Sequence, residues 1–239
     1  MWLALETSAD RVSVAVGAPG RIMAEEGLEG ARRHAGALPA LVDRVLADAG
    51  MPLASIETVV LSDGPGSFTG LRVGAAVAKA IVRARGAALH TVPALMAVAW
   101  AARPAPRERV LAVLNALRGE VYAAEYRFVP GAVEVLQAPT VWLPERLLSG
   151  CPVPDAVAGM LPEPLVARLA EWQGGHRPRH LAGAASAGAL LELAGLAGAT
   201  TVVGDVPGWE PVYGRPAEAQ AKWERDHGRT LPDSPSHFR

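Results

Sequence analysis

The order of strand and helix patterns predicts an α/β fold in which one structural unit occurs twice. In the first half of the chain, three short strand patterns are followed by alternating helices and strands, in the order βββαβαβα. After a proline-rich segment at 103–107, three strand patterns occur again. The chain has 239 residues, of which 50% are hydrophobic, so it can bury a large core in one large or two small domains.

The first three strand patterns are separated by short turn sequences and predict a meander. Apolar residues then recur at helical spacing from Leu38 to Ala49, and Gly50 follows where a helix-terminating glycine belongs. The first half is thus predicted to contain strands over 2–5, 12–16 and 21–28, this helix, a strand over 58–61, a helix over 70–85, a strand over 88–92 and a helix over 93–102.

The second half repeats the meander and is then less regular. Its patterns predict strands over 110–114, 120–128, 132–136 and 156–158, and helices over 163–172 and 181–197. Two ribonuclease-H-like βββαβα lobes, the second truncated, account for this order. We expect lobes at 1–102 and 108–200, with helix 181–197 at their junction.

Residues 207–239 are rich in proline and charge and form a predicted tail that is partly disordered. Three aromatic side chains offer the alternative that the tail docks onto the body. They are Trp209, Tyr213 and Trp223.

The most informative motif is Gly-Pro-Gly-Ser-Phe-Thr-Gly-Leu-Arg at 64–72, which joins a strand pattern to a helix pattern. Its glycines permit close backbone approach, and its hydroxyls lie beside a helix N-terminus, as in a phosphate-binding loop. The spacing matches neither the Walker A motif nor the Rossmann fingerprint. The alternative is a tight strand-to-helix turn capped by Thr69. The residues of this predicted phosphate-type loop are Gly64, Gly66, Ser67, Thr69 and Gly70.

A polar residue ends the first strand of each predicted lobe. In the first lobe it is Glu6, which is followed by Thr7 and Ser8, and in the second lobe it is Asn115. In nucleotide-binding proteins built from this duplicated unit, carboxylates at these positions hold Mg²⁺ through oxygen ligands. Asn115 has no negative charge, so only one of these two positions has a carboxylate. In the alternative interpretation, Thr7 and Ser8 make turn hydrogen bonds and Asn115 starts a tight turn with Gly119.

Other patterns offer no supported metal or catalytic site. His176 and His180 have the spacing of zinc-binding helices, but Pro178 lies between them, which favours a solvated loop. His34 is either a packing residue or a ligand without a second histidine at ligand spacing. Cys151 has no histidine nearby in the sequence. We therefore predict no metal, no cofactor and no catalytic residue.

The helix over 70–85 has almost no polar face before Arg83, so it must be buried on more than one side. One side can pack on its own sheet, and the other then suggests an interface with a partner, shared with the helix near Leu38. The alternative is that the second lobe or helix 181–197 covers it. The predicted interface residues are Leu38, Leu41, Val42, Val45, Leu71, Val73, Gly74, Val77, Ala78 and Ile81.

Composition excludes several classes of protein. The chain has 23 basic and 24 acidic residues and a net charge of -1, which argues against a dominant nucleic-acid surface. Any RNA contact is expected to be shared with a partner. A single cysteine cannot form an internal disulfide, and the N-terminus lacks a signal-peptide pattern, so we expect a cytoplasmic protein. Every apolar stretch is interrupted, and no membrane span is predicted.

Several motifs together resemble the bacterial TsaB family, also called YeaZ. They are Leu-Ala-Leu-Glu-Thr-Ser at 3–8, the segment 34–39, the glycine-rich motif at 64–72, Asn-Ala-Leu-Arg-Gly-Glu-Val-Tyr at 115–122, and Pro-Val-Tyr-Gly-Arg at 211–215. The glycine-rich motif is highly specific for the family. The resemblance implies the two-lobed ASKHA fold of actin, Hsp70 and sugar kinases.

The same resemblance implies an accessory role in making threonylcarbamoyladenosine beside the anticodon of tRNAs that read codons beginning with A. TsaB-like proteins are paralogues of the catalytic subunit TsaD and pair with it through the two helices of the first lobe, while the ATPase TsaE joins the assembly. A homodimer through the same face is expected without TsaD. The family usually has Asp where Glu6 and Asn115 stand, so a nucleotide is expected only at the interface of the complex, and tRNA contact only through it. The rival hypothesis is an autonomous ATP-dependent phosphotransferase that uses Glu6 and the glycine-rich loop.

Overall fold

A computed structural model of the chain describes residues 1–30, 34–116, 119–159, 161, 165, 172, 178–214 and 226–227. The described residues form two mixed β-sheets with helices packed on them. The first sheet contains six strands: β1 (Trp2–Glu6), β2 (Val12–Ala18), β3 (Arg21–Leu28), β4 (Thr58–Ser62), β5 (Ala88–Val92) and β11 (Thr201–Val202). The second contains five: β6 (Arg109–Asn115), β7 (Val121–Val129), β8 (Ala132–Trp142), β9 (Ala156–Gly159) and β10 (Arg179–Leu181).

Five described helices accompany the sheets, together with a short 3-10 turn at Leu53–Ser55. They are α1 (His34–Asp48), α2 (Phe68–Arg85), α3 (Ala94–Ala101), α4 (Pro144–Gly150) and α5 (Ala187–Leu193). No helix among the described residues is long and apolar enough to cross a membrane.

The two sheets share one topology. The first runs β11-β5-β4-β1-β2-β3, with β1 antiparallel to β2 and parallel to β4. The second runs β10-β9-β6-β7-β8, with β6 antiparallel to β7 and parallel to β9. The repeated meander followed by a parallel crossover is the duplication that the sequence predicted, and the expected α/β fold with two related sheets is confirmed.

Strand alternation divides the core into layers. Leu3 and Leu5 of β1 pack in one cluster with residues of α1 and α2, whereas Ala4 points to the other face. That second cluster contains α3, α5 and apolar residues of the second sheet, including Tyr126 of β7. The central cluster therefore joins the two sheets, and α5 lies at their junction.

Helix α5 is shorter than the sequence predicted. Instead of one helix over 181–197, residues 179–181 form β10 and the helix begins only after Ser186, whose hydroxyl accepts a hydrogen bond from the Ala189 amide at 3.2 Å. Gly183 packs against the backbone of α3, where a Cβ would approach the Val98 carbonyl at 2.7 Å. Residue 183 is therefore packed tightly against α3 and lies outside any helix.

Other boundaries moved by a few residues, and two strands were missed. β8 extends to Trp142, six residues beyond the predicted end, because it pairs with β7 along its length. β10 and β11 were not predicted, since each is two or three residues long and exists only through pairing with β9 and β5. The predicted helix over 163–172 and most of the predicted tail lie outside the described residues.

Candidate functional site

The carboxyl ends of β1 and β4 form the most unusual polar site in the described structure. The two strands are parallel neighbours, with Leu5 opposite Leu61, so Glu6 at the end of β1 lies beside Ser62 at the end of β4. Both residues follow Ala4 and Val60 on the face that points to the central cluster. Asp63 comes directly after β4. The sheet therefore brings two carboxyl groups to the junction with the second sheet.

Glu6 is completely buried. One carboxylate oxygen, Oε1, accepts hydrogen bonds from the amide of Ser8 at 2.6 Å and from the Ser8 hydroxyl. The other oxygen, Oε2, has no hydrogen-bond partner among the described residues. Burial raises the pKa of Glu6 above its ordinary value, and the hydrogen bonds from Ser8 oppose this rise. An unpartnered buried carboxylate oxygen favours the protonated form of Glu6.

Asp63 is the residue that the sequence interpretation missed. Burial raises its pKa to about 7, a hydrogen bond with Thr91 opposes the rise, and the nearby charge of Glu6 adds to it. A signal was available in the sequence, because ligand and catalytic groups of α/β sheets concentrate at the carboxyl ends of parallel strands. Asp63 ends the strand parallel to β1 and could have been placed beside Glu6.

Three more buried oxygens at this junction lack partners among the described residues: the hydroxyls of Thr7, Ser62 and Tyr126. Tyr126 comes from β7 of the second sheet, and burial raises the pKa of its phenol, with the charge of Asp63 as a second cause. The functional atoms of these side chains are thus all oxygens. Within the described residues, no three His, Cys, Asp or Glu side chains come together in a way that could hold a metal ion.

The glycine-rich loop packs against the turn that follows β1. A Cβ at Gly66 would overlap the carbonyl oxygen of Ser8, and one at Gly70 would overlap that of Thr7. The Ser67 amide donates a hydrogen bond to the Ser8 carbonyl at 2.7 Å. These glycines are required because two backbone segments touch, which is the tight strand-to-helix turn of the alternative interpretation.

The cap of α2 differs from the predicted one. Ser67, not Thr69, is the N-cap, and its hydroxyl accepts a hydrogen bond from the Gly70 amide at 3.2 Å. Thr69 is exposed inside the first turn. The difference arises because the helix begins at Phe68, two residues earlier than predicted. The amides of Ser67 and Gly70 are therefore already engaged, and phosphate binding by this loop stays a prediction.

A C-terminal segment, residues 207–214, closes the outer side of the loop. The Val212 amide donates a hydrogen bond to the Asp63 carbonyl at 2.8 Å. A Cβ at Gly64 would overlap the Val212 carbonyl oxygen. The Tyr122 hydroxyl donates to the Tyr213 carbonyl at 3.3 Å, which ties the segment to the second sheet. This part of the predicted tail therefore packs on the body of the protein, as in the alternative interpretation based on Trp209 and Tyr213. Trp223 lies outside the described residues, and disorder of the remainder stays a prediction.

Most residues of the predicted partner interface face inward. Eight of the ten are buried in the protein itself, and only Val73 and Val77 are half-exposed. The expectation of direct partner contact is corrected for those eight, because they are buried within the chain, six of them in the cluster formed by α1, α2 and the first sheet. The eight are Leu38, Leu41, Val42, Val45, Leu71, Gly74, Ala78 and Ile81. The outward surface of α2 is instead formed by Arg72, Ala76, Ala80 and Arg83.

The remaining predicted residues do not join the buried acid pair. Asn115 is exposed at the end of β6, where it pairs with Val121 across the hairpin. Burial, and secondarily the charge of Glu125, raises the pKa of the Cys151 thiol, the opposite of what an activated nucleophile needs. His176 and the side chain of His34 lie outside the described residues.

Comparison with known proteins places the chain in a family. A family model described as TsaD, tRNA N6-adenosine threonylcarbamoyltransferase, matches residues 28–173, which is more than half of the chain. The YeaZ structure of Pseudomonas aeruginosa superposes with a TM-score of 0.72 at 29% identity, covering 89% of this chain and 98% of that one. The chain belongs to this family, in its TsaB (YeaZ) branch.

Curated TsaB relatives agree with the structural match. The chain is 35% identical over 126 residues to the tRNA threonylcarbamoyladenosine biosynthesis protein TsaB of Escherichia coli, and 36% identical over 126 residues to that of Haemophilus influenzae. Each alignment covers 52% of this chain, and the chain spans about half the length of these relatives, 54% and 52%. The resemblance drawn from the sequence motifs is confirmed as to family.

Proposed function

We propose that this chain is a non-catalytic accessory subunit that pairs with TsaD and supports the transfer of a threonylcarbamoyl group to tRNA. In this proposal it acts in the cytoplasm with TsaE, forms a homodimer in the absence of TsaD, and contacts tRNA only through the complex. The proposal is carried by the exposed small-residue face of α2 in a chain whose curated relatives are named TsaB.

The chemistry of the surface supports pairing through helices. Ala76 and Ala80 are exposed on α2, one helical turn apart, beside the half-exposed Val73 and Val77. Small side chains let another helix approach closely, and apolar ones release water when covered. Helix α1 packs against α2 and also has exposed residues, among them Ala40. In this proposal both helices contribute to the surface that meets the partner.

The interior of the glycine-rich loop supports a non-catalytic role. Gly66 and Gly70 are in contact with the backbone of Ser8 and Thr7, and Val212 covers Gly64. A phosphate would have to displace these contacts. The rival phosphotransferase hypothesis needs that displacement. We therefore expect any nucleotide to bind at the interface of the complex.

A charge placed in the centre of the surface tests the pairing. Ala76→Arg should lower affinity for TsaD by about 10³-fold, because a long side chain in the centre of the face prevents the close helix approach that the small Ala76 allows. Ala138→Arg is the matched control, because Ala138 is an exposed residue of β8 in the second sheet. Sedimentation and calorimetric titration with purified TsaD give the affinities, and circular dichroism checks the fold. Equal affinities for the two variants would contradict the interface.

Reconstituted tRNA modification tests the role itself. Purified TsaD and TsaE, the adenylate-forming enzyme, threonine, bicarbonate and ATP are combined with and without this chain. The proposal expects modification only when the chain is present, and expects Ala76→Arg to abolish it. Modification that is indifferent to the chain, together with binding of Mg-ATP by the isolated chain in calorimetry, would favour the phosphotransferase instead.

A further inference from the structure

Arg72 on the outward surface of α2 is held by two aromatic rings. Its guanidinium lies 4.5 Å from the centroid of the Phe68 ring and 5.8 Å from that of Tyr213. Its Nε donates a hydrogen bond to the Tyr213 hydroxyl at 3.3 Å. Arg72 is nevertheless exposed. A long, flexible cation at the surface is therefore confined to one position.

The Tyr213 side chain is itself fixed from several directions. It is 6% exposed, its ring centroid lies 4.7 Å from that of Phe68, and its hydroxyl donates to Glu210 at 3.0 Å. Its backbone carbonyl accepts from the Tyr122 hydroxyl of the second sheet. A segment 141 positions further along the chain thus orders a side chain of α2.

The confined guanidinium keeps hydrogen-bonding capacity for a partner. Within the described part of the chain, Tyr213 is the hydrogen-bond partner of Arg72, through Nε. The two terminal nitrogens form a planar pair of donors that matches a carboxylate. Stacking on aromatic rings lowers the entropy lost when such a side chain binds. Arginine and tyrosine are also the residues in which interface binding energy concentrates.

The surroundings favour a protein carboxylate over an RNA phosphate. Arg72 borders Val73 and Ala76 on the apolar face proposed to meet TsaD. Helix α2 carries four basic residues, Arg72, Lys79, Arg83 and Arg85, and no acidic one, so a complementary partner helix should be acidic. The net charge of -1 for the whole chain does not suit a surface that attracts nucleic acid.

We infer that Arg72 is a specificity anchor of the pairing surface, positioned by Tyr213 to receive an Asp or Glu carboxylate of the partner protein. The inference rests on the proposed function and deepens it. The docked segment 207–214 is then a structural part of the interface, since it supplies the ring and hydroxyl that hold the guanidinium in place.

Three variants and one control test the anchor by titration of the full chain with TsaD. Arg72→Ala should weaken pairing by roughly 30-fold to 100-fold, and Arg72→Lys by about tenfold, because lysine keeps the charge but lacks the planar pair of donors. Tyr213→Phe keeps the ring and removes the hydroxyl, and should weaken pairing about threefold. Arg21→Ala is the matched control, since Arg21 is an exposed arginine of β3. It should leave the affinity unchanged.

The salt dependence of pairing supplies a second measurement. The affinity of the unaltered protein should fall as salt rises, and that of Arg72→Ala should fall less steeply. Normal pairing by Arg72→Lys and Arg72→Ala would overturn the anchor while leaving the proposed function intact. If the Arg72 variants pair normally with TsaD but the assembled complex binds tRNA more weakly, the anchor is overturned and a contact of Arg72 with an RNA phosphate is favoured instead. Failure of the unaltered chain to bind TsaD would overturn both proposals.

Discussion

The first strands of the two sheets end in opposite environments. β1 ends at Glu6, which is completely buried, whereas β6 ends at Asn115, which is exposed. The parallel neighbour of β1 continues into Asp63, whereas the parallel neighbour of β6 ends at Gly159, whose position leaves no room for a Cβ beside the Val113 carbonyl. The same topology therefore encloses an acid pair in the first sheet and none in the second. The two sheets thus share a backbone arrangement and differ in the polar groups at their strand ends.

Glycine substitutions should show the largest difference between the two regions. Gly70→Ala should lower the free energy of unfolding by about 3 kcal/mol, because the new Cβ would overlap the Thr7 carbonyl and force α2 away from β1. Gly119→Ala, in the turn between β6 and β7 of the second sheet, should cost only about 1 kcal/mol. A Cβ at position 119 would have no atom within 4 Å. The cost arises only from the backbone φ of 79°, which is unfavourable for a residue with a side chain. Urea denaturation measures both. Equal losses would mean that the loop adjusts without cost.

The pH dependence of stability should come from the acid pair of the first sheet. The pKa of Asp63 is about 7 in the folded protein and about 4 in an unfolded chain. The folded state therefore binds the extra proton, and stability falls as the pH rises from 4 through 7, by at most about 1.4 kcal/mol per pH unit for one proton. The raised pKa of Glu6 acts in the same direction.

Asp63→Asn should flatten this dependence in denaturation curves measured between pH 5 and pH 8. Asp43→Asn removes an exposed carboxylate of α1 and is the matched control, with an unchanged slope. A protein that becomes more stable from pH 5 to pH 7 would contradict the raised pKa values of Asp63 and Glu6.

The smallest effect is expected at the end of β6. Asn115→Asp introduces a carboxylate at the end of β6 and should change stability by less than about 0.5 kcal/mol, because the side chain is exposed. Its carboxyl should titrate with an ordinary pKa in NMR experiments, unlike that of Asp63. A strongly raised pKa at position 115 would show that the two strand ends are more alike than their exposure indicates.

Local patterns were sufficient to predict the strands of both meanders, helix α2 and the duplication. A strand that is covered on both faces, such as β1, has a continuous apolar run, and a helix packed on a sheet has apolar residues at helical spacing. Short-range periodicity therefore predicts these elements. It could not predict β11, which has two exposed residues and exists only because β5 provides a partner.

The candidate site was predicted only in part, because its members meet through tertiary contacts. Glu6 and the glycine-rich loop were found from sequence, since each is a local motif. Asp63 could have been placed beside Glu6 because it follows a parallel neighbour of β1, but the burial that raises its pKa depends on tertiary packing. The inward orientation of residues such as Leu38 and Ala78 was also missed, since a helix that is apolar nearly all round gives no periodic signal for which side faces the core.

Residue types at short and regular spacings were sufficient to identify the family, the repeated α/β unit and the glycine-rich turn. The three-dimensional arrangement was needed to show that the turn is filled by backbone, that two carboxyl groups lie at the ends of β1 and β4, and that Tyr213 holds Arg72 at the surface. The physical reason is that burial, pKa and side-chain orientation depend on atoms brought together from distant parts of the chain.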